Sequence, residues 1–372
     1  MKTDEKVEME LTKSKRRAII HLAHVNKQKT RHLCILFAHC MAFPGRIPEA
    51  LYTILKEETV VKKILALVLA LVLCLGMIPM ASAETIKVGI LTSAITHGWV
   101  GGVAYHAEQY AKELAAAGKI EYKMIPCATV EDMASQIDEV MLWGAKAIVV
   151  APQWPGLEVA VQNAIDAGVT VVAFDVDIDA QGVYKVTGDN ESMGVAGAKF
   201  IADKIGTEGL VVALPVPSSG SVSELRMKGF METIKEIAPN LQIVEYASAF
   251  TREDGLKDMA DILTANAKID AVYSLDDETS IGALQAIADA GRTDIKAITG
   301  GGGCQEYFGM IKENTEIAAS SALYSPLMIK DCLDVAIAVV NGETVDAVKV
   351  VPSQIVSAEN VDEYLDPANT IY

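Results

Sequence analysis

Carboxylates and aromatic rings are the side chains of this 372-residue chain that could do chemistry on a small molecule. Asp276 and Asp277 stand side by side, and Asp175, Asp177 and Asp179 alternate. Paired carboxylates can move protons, or they can accept hydrogen bonds from the hydroxyls of a polyol. The alternating set imitates a calcium loop, but Ala180 takes the sixth place, where glycine is required, and Val186 the twelfth, where glutamate is required. The run Gly300–Gly303 has no Gly-Lys-Ser/Thr after it, so it reads as a glycine-rich turn lining a cleft and not as a phosphate cradle. Cys304 could be a nucleophile, yet only His97 and His106 lie beyond residue 84 to act as a base, and neither forms a local motif with it. His21, His24, Cys34 and Cys40 lack a closed four-ligand metal spacing. No metal, cofactor or catalytic residue is therefore called for. Trp99 and Trp154 complete the set: flat rings near carboxylates suit a sugar, whose C–H face stacks while its hydroxyls donate to Asp.

Short apolar runs alternating with helical patterns position these residues. IKVGILT (86–92), IEYKMIP (120–126), AIVVA (147–151), VTVVAFD (169–175) and VYKVTG (183–188) read as strands, with helices over 101–117, 130–143 and 157–167. The pattern restarts with LVVALPV (210–216), QIVEYA (242–247), IDAVYSL (269–275) and IKAIT (295–299), separated by helices over 221–238, 253–265 and 279–290. A strand near 317–322, a helix over 325–340 and a strand over 348–351 follow. The expected fold class is α/β, with two similar Rossmann-like domains of parallel strands. Ligands of such sheets bind beyond the carboxyl ends of the strands. The residues there are Ser93, His97 and Trp99; Gln153 and Trp154; Asp175; Ser221; Phe250; Asp276; and Gly301 and Gln305.

From residue 84 onward the chain has 19 Lys+Arg against 42 Asp+Glu, a charge near −23, which repels nucleic acid and anionic membrane. Three cysteines in that span, Cys127, Cys304 and Cys332, are too few and too odd for a disulfide framework. Val61–Ala83 carries Lys62 and Lys63, an apolar run, and then Ala81-Ser82-Ala83. That order is the one found in a secretory signal peptide, so the working protein is expected to begin near Glu84, outside the cytoplasm. Cys74 offers an alternative lipid anchor, but Leu73 and Leu75 flank it where small residues belong. Residues 1–60 read as a doubtful extension, with translation expected to start near Val60 or Val61.

The segments IKVGILTSA, AGVTVVAFD, VTGDNESMGVAGAKF, LRMKGF and IDAVYSLDDETSIGALQAIADAG resemble the periplasmic sugar-binding proteins of ABC transporters, of the ribose- and galactose-binding type. The resemblance implies two lobes joined by three crossings, with the ligand in the cleft between them. It places one lobe at 84–187 and 324–351, and the other at 188–323 and 352–372. It implies sugar contacts for Ser93, Trp99, Asp175, Phe250 and Asp276. Two arginines usual in the pattern are replaced by Glu224, two positions before Arg226, and by Val176, and Gly301 stands where a carboxylate is common. These departures point to a pocket more acidic than the pentose pattern, and to a neutral or amino-bearing ligand. The partners implied are a small sugar or related polar solute and a membrane ABC permease, with a chemoreceptor or histidine kinase as the sensory alternative. The working protein is expected to be a monomer. A repressor with the same core would need a helix-turn-helix where the export segment stands. An exported hydrolase would need a nucleophile elbow or a metal set that the sequence lacks.

Overall fold

The computed structural model describes residues 85–95, 98–366 and 368–372. The export segment, Cys74 and His97 lie outside the described residues.

Two six-stranded sheets form the framework. In the first, β1 (Ile86–Ser93) pairs in parallel with β2 (Ile120–Cys127) on one side and β3 (Ala147–Ala151) on the other, then β4 (Thr170–Phe174), β5 (Tyr184–Gly188) and β11 (Val348–Val351) continue outward. In the second, β6 (Glu208–Leu214) stands between β7 (Asn240–Glu245) and β8 (Ala271–Ser274), followed by β9 (Ala297–Gly302), β10 (Ala318–Leu323) and β12 (Ile355–Ser357). The two orders are the same, and only β12 runs antiparallel, against β10. The chain passes from sheet to sheet after Gly188, after Leu323 and after Val351.

Each sheet is covered on both faces, which explains the nearly continuous apolar strands. In β3, Ala147, Val149 and Ala151 enter one core cluster, while Ile148 and Val150 enter the cluster on the opposite face. The first sheet carries α1 (Gly98–Ala116), α2 (Val130–Leu142), α3 (Glu158–Asp166) and α9 (Ile329–Val340). The second carries α4 (Asn190–Ile205), α5 (Ser221–Ile237), α6 (Arg252–Ala265), α7 (Asp277–Asp289) and α8 (Gln305–Glu313). Side-chain caps start several of them: Thr129 accepts from Asp132 N at 3.2 Å, and Thr251 from Asp254 N at 3.0 Å.

Helix α4 was not anticipated from the sequence. Its Gly194 and Gly197 dilute the apolar period, and their reason is tertiary. A Cβ on Gly194 would lie 2.1 Å from the carbonyl oxygen of Arg226, and one on Gly229 would lie 2.1 Å from that of Glu191. The backbones of α4 and α5 thus touch, and this contact fixes α5, which carries Arg226 toward the site. The glycine run at 300–303, expected as a turn, instead extends β9 through Gly302. Side chains are excluded there because a Cβ on Gly300 would meet Asp277 Oδ1 at 2.4 Å.

Candidate functional site

In each sheet the strand order turns back on either side of the first strand, and the crevice at such a switch point is where open α/β sheets bind ligands. The ends of the two sheets face one another across a cavity that opens to solvent. From the first sheet come Trp99 at the start of α1, Gln153 after β3, and Asp175 and Val176 after β4. The second contributes Ser219, Val222, Arg226, Phe250, Asp276, Gly301 and Gly302. Tyr324, after β10, and Tyr372 complete the wall.

Tyr324 sits where the chain crosses between sheets and ties the site together. Its hydroxyl donates to Asp175 Oδ1, accepts from Gly188 N at 3.2 Å and Asn190 Nδ2 at 3.1 Å, and lies 3.1 Å from Thr187 Oγ1. Its carbonyl accepts from Trp99 Nε1 at 2.7 Å, and the Trp99 ring stacks on Phe174 with an interplanar angle of 8°. Trp99 is therefore held rigidly as an aromatic wall. Asp175 has φ 71°, a left-handed backbone that a non-glycine residue adopts only where surroundings compel it.

Arg226 is the buried cation of the cavity. It donates from Nε to Asn190 Oδ1 and from Nη1 to the Leu275 carbonyl, both at 2.8 Å. Its guanidinium carbon lies 4.7 Å from the centre of the Tyr324 ring and 5.9 Å from that of Phe250. Its charge offsets part of what burial does to the carboxyls. Desolvation pushes Asp175 upward against the help of Tyr324 and Arg226. Desolvation likewise raises Asp276 to about 7, although its side chain caps α7 by accepting from Thr279 N at 3.1 Å. Asp277, also raised by burial, to about 6, accepts at Oδ2 from Gly303 N, Cys304 N and Ser321 Oγ. It thereby shapes the glycine segment that floors the cavity.

Because Asp276 and Asp277 hold protons more tightly folded than unfolded, the folded state binds more protons from the ordinary carboxylate range up to about 6 and about 7, and stability falls as pH rises through that window. The melting temperature of the ligand-free protein should drop by several degrees from about pH 5 to about pH 8, and Asp276→Asn, which keeps the cap, should flatten the profile. A melting temperature that climbs over this range would contradict it.

Of the residues expected from sequence, Trp99, Gln153, Asp175, Arg226, Phe250, Asp276 and Gly301 meet in this cavity. Ser93 is buried, with Oγ donating to the Ala151 carbonyl at 3.1 Å, and lines a side cavity shared with Trp99, Gln153 and Asp175. Ser221 lies at the rim, where its Oγ accepts from Asp177 N at 2.9 Å and so links the two halves. Trp154 packs against the core on the outer face of the first sheet. Glu224 is exposed: α5 turns Val222 and Arg226, four residues apart, toward the cavity and points Glu224 away. The extra acidity expected from it is therefore not part of the cavity wall. Gln305 is engaged instead with the Tyr364 carbonyl and Asp366 N. Tyr324 and Tyr372 were missed. Tyr324 follows a strand whose end was foreseen, so the strand-end rule could have found it; nothing local marks Tyr372. Cys304 is buried and its thiol pushed up to about 11, far from a thiolate nucleophile.

The chain is 28% identical over 293 residues to the xylitol-binding protein of Mycolicibacterium smegmatis, covering 76% of this chain and 80% of that protein. It is 31% identical over 214 residues to the ribose import binding protein of Bacillus subtilis, covering 57% and 68%. An ABC transporter solute binding protein from Mycobacterium smegmatis, solved with bound glycerol, superposes with a TM-score of 0.71 at 23% identity, covering 77% of this chain and 99% of that one. The family described as the periplasmic binding protein domain matches residues 88–344, and with the two-sheet architecture this places the chain in the periplasmic binding protein family.

Proposed function

We propose that the chain is the extracytoplasmic solute-binding component of an ABC importer, capturing a neutral sugar or polyol between two lobes that close over it. The lobes comprise 84–187 with 324–351, and 188–323 with 352–372, the first crossing falling at Gly188, the last residue of β5. The observation that carries the reading is the lining of the cavity, which sets the rings of Trp99, Phe250 and Tyr324 around Asp175, Arg226 and Asp276. The rings offer faces for C–H groups, and the carboxylates and guanidinium serve hydroxyls. One cation beside two carboxyls, one of them raised to about 7, leaves little net charge for an ionic ligand to answer. Relatives named for xylitol, allose, ribose and galactofuranose support the ligand class. The basic, apolar and small-residue order of Val61–Ala83 supports export. The closed form would then dock to a membrane permease.

Thermal-shift screening of the protein from Glu84 onward against pentoses, hexoses, polyols, nucleosides and amino acids tests this. A sugar or polyol should raise the midpoint by mass action, and a response confined to amino acids or nucleosides would refute the ligand class. Trp99→Ala should abolish the ligand-induced fluorescence change and weaken binding by about 1–3 kcal/mol, through lost stacking and buried area. Unchanged affinity in calorimetry would remove Trp99 from the site.

A further inference from the structure

The last segment of the described chain reaches the binding cavity by a defined path. Beyond the 3₁₀ turn Val361–Glu363, Gln305 grips the chain on both sides of Leu365, donating to the Tyr364 carbonyl at 3.2 Å and accepting from Asp366 N at 2.7 Å. The following residues fold on themselves. Ala368 N donates to Asp366 Oδ1 at 3.0 Å, Ile371 N to Asn369 Oδ1 at 3.0 Å, and Asn369 Nδ2 to the Tyr372 carbonyl at 2.7 Å. Such side-chain-to-backbone bonds fix a local turn without help from a sheet or helix.

The turn delivers the Tyr372 ring between the two halves of the molecule. A Cβ on Gly98 would lie 3.2 Å from its Cδ2, and one on Gly102 would lie 3.3 Å from its Cβ; both glycines belong to α1, on the first sheet. A Cβ on Gly302, the end of β9 in the second sheet, would lie 2.5 Å from its hydroxyl oxygen. Three positions without side chains thus leave the space that the ring fills. The hydroxyl is buried and has no hydrogen-bond partner among the described residues. A buried hydroxyl left alone is costly, and a solute hydroxyl in the adjoining cavity would satisfy it.

We propose that Tyr372 is a specificity-determining residue of the binding site: its ring closes the cavity against both halves and limits solute size, and its hydroxyl bonds the solute. The proposal rests on the solute-binding reading above. It makes the tail a third contributor to the site, beside the two sheets.

The test compares Tyr372→Phe and Tyr372→Ala with the unaltered protein, using D-ribose, xylitol, D-galactose and myo-inositol as probes. Tyr372→Phe keeps the wall and loses the hydroxyl, so affinity for the best probe should fall about tenfold with the rank of probes unchanged. Tyr372→Ala opens the wall, so the ratio of galactose or inositol affinity to ribose or xylitol affinity should rise by about tenfold or more. A general loss of stability would not move that ratio. Both variants binding all probes within about twofold of the unaltered protein would overturn the proposal. If the unaltered protein binds none of the four, the ligand class fails separately, and hydrogen exchange decides the role of the tail. Amides of Gly98–Gly102 and of Gly302–Cys304 should then exchange faster in Tyr372→Ala, and unchanged exchange in either segment would overturn it.

Discussion

Replacing Arg226 with methionine is expected to destabilise the fold by about 3–5 kcal/mol and to abolish measurable solute binding, because it removes one member of a buried charged set and leaves the others in place. Arg226 is only 5% exposed. Methionine fills similar volume but supplies no donor. Asn190 Oδ1 and the Leu275 carbonyl would each lose their bond, and Asp175 and Asp276 would lose the positive charge that holds their carboxyls down against desolvation. Both carboxyls would then take up protons at higher pH, turning two hydrogen-bond acceptors facing the solute into neutral acids. Arg226→Lys should recover part of the stability and little of the binding, since an ammonium cannot span both acceptors while keeping its charge beside the Tyr324 and Phe250 rings. Denaturant midpoints and calorimetry measure both quantities. A loss below about 1 kcal/mol in the methionine variant would mean that the guanidinium is dispensable to the buried network.

Asp277→Ala comes next in expected size, at about 2–4 kcal/mol, and its dependence on pH is the sharper signature. The variant strands two backbone amides and the Ser321 hydroxyl, all of which donate to one carboxylate oxygen. It also removes a carboxyl whose ionisation burial opposes, so part of the loss is returned where that carboxyl is charged. The native protein is favoured by Asp277 protonation as pH falls toward about 6 and below, and the variant is not. The destabilisation should therefore be larger near pH 5 than near pH 8 (about one unit below and two above this value). Asp277→Asn keeps an acceptor for the three donors and should recover most of the loss at the higher pH. A destabilisation that grows with pH would show that charge, not hydrogen bonding, governs this position. Since Gly301 and Gly302 line the cavity beside this turn, affinity should fall along with stability.

The strands were legible because parallel strands buried on both faces are written as unbroken apolar runs, as in AIVVA, whose five residues are all buried. The strand-end rule then found Trp99, Gln153, Asp175 and Asp276 without any contact information. The family pattern, not this rule, brings in Glu224, and there the phase of a helix decides exposure and two residues reverse the direction. The strand-end rule fails with Gln305, whose amide holds the tail and not a ligand. Helix α4 was hidden because the glycines that let it touch α5 also erase its amphipathic period. Tyr324 follows the end of β10, where the strand-end rule applies, but its bond to Asp175, 149 residues away, has no local signature; Tyr372 reaches the cavity from a turn that nothing local marks.

The cluster around the Tyr324 hydroxyl has a mechanical consequence. When one rigid body swings against another, each atom travels in proportion to its distance from the pivot. Tyr324, Thr187, Gly188 and Asn190 all lie at chain crossings, next to any such pivot, so their hydrogen bonds can survive the swing nearly unchanged. The Oγ of Ser221 in α5 accepts from Asp177 N, which follows β4, and such a swing would stretch this bond between the halves. Such a swing would make the crossings its fulcrum. A pair of dyes set across the cavity on the two halves should report the swing, whereas the same pair beside Tyr324 and Thr187 should stay silent.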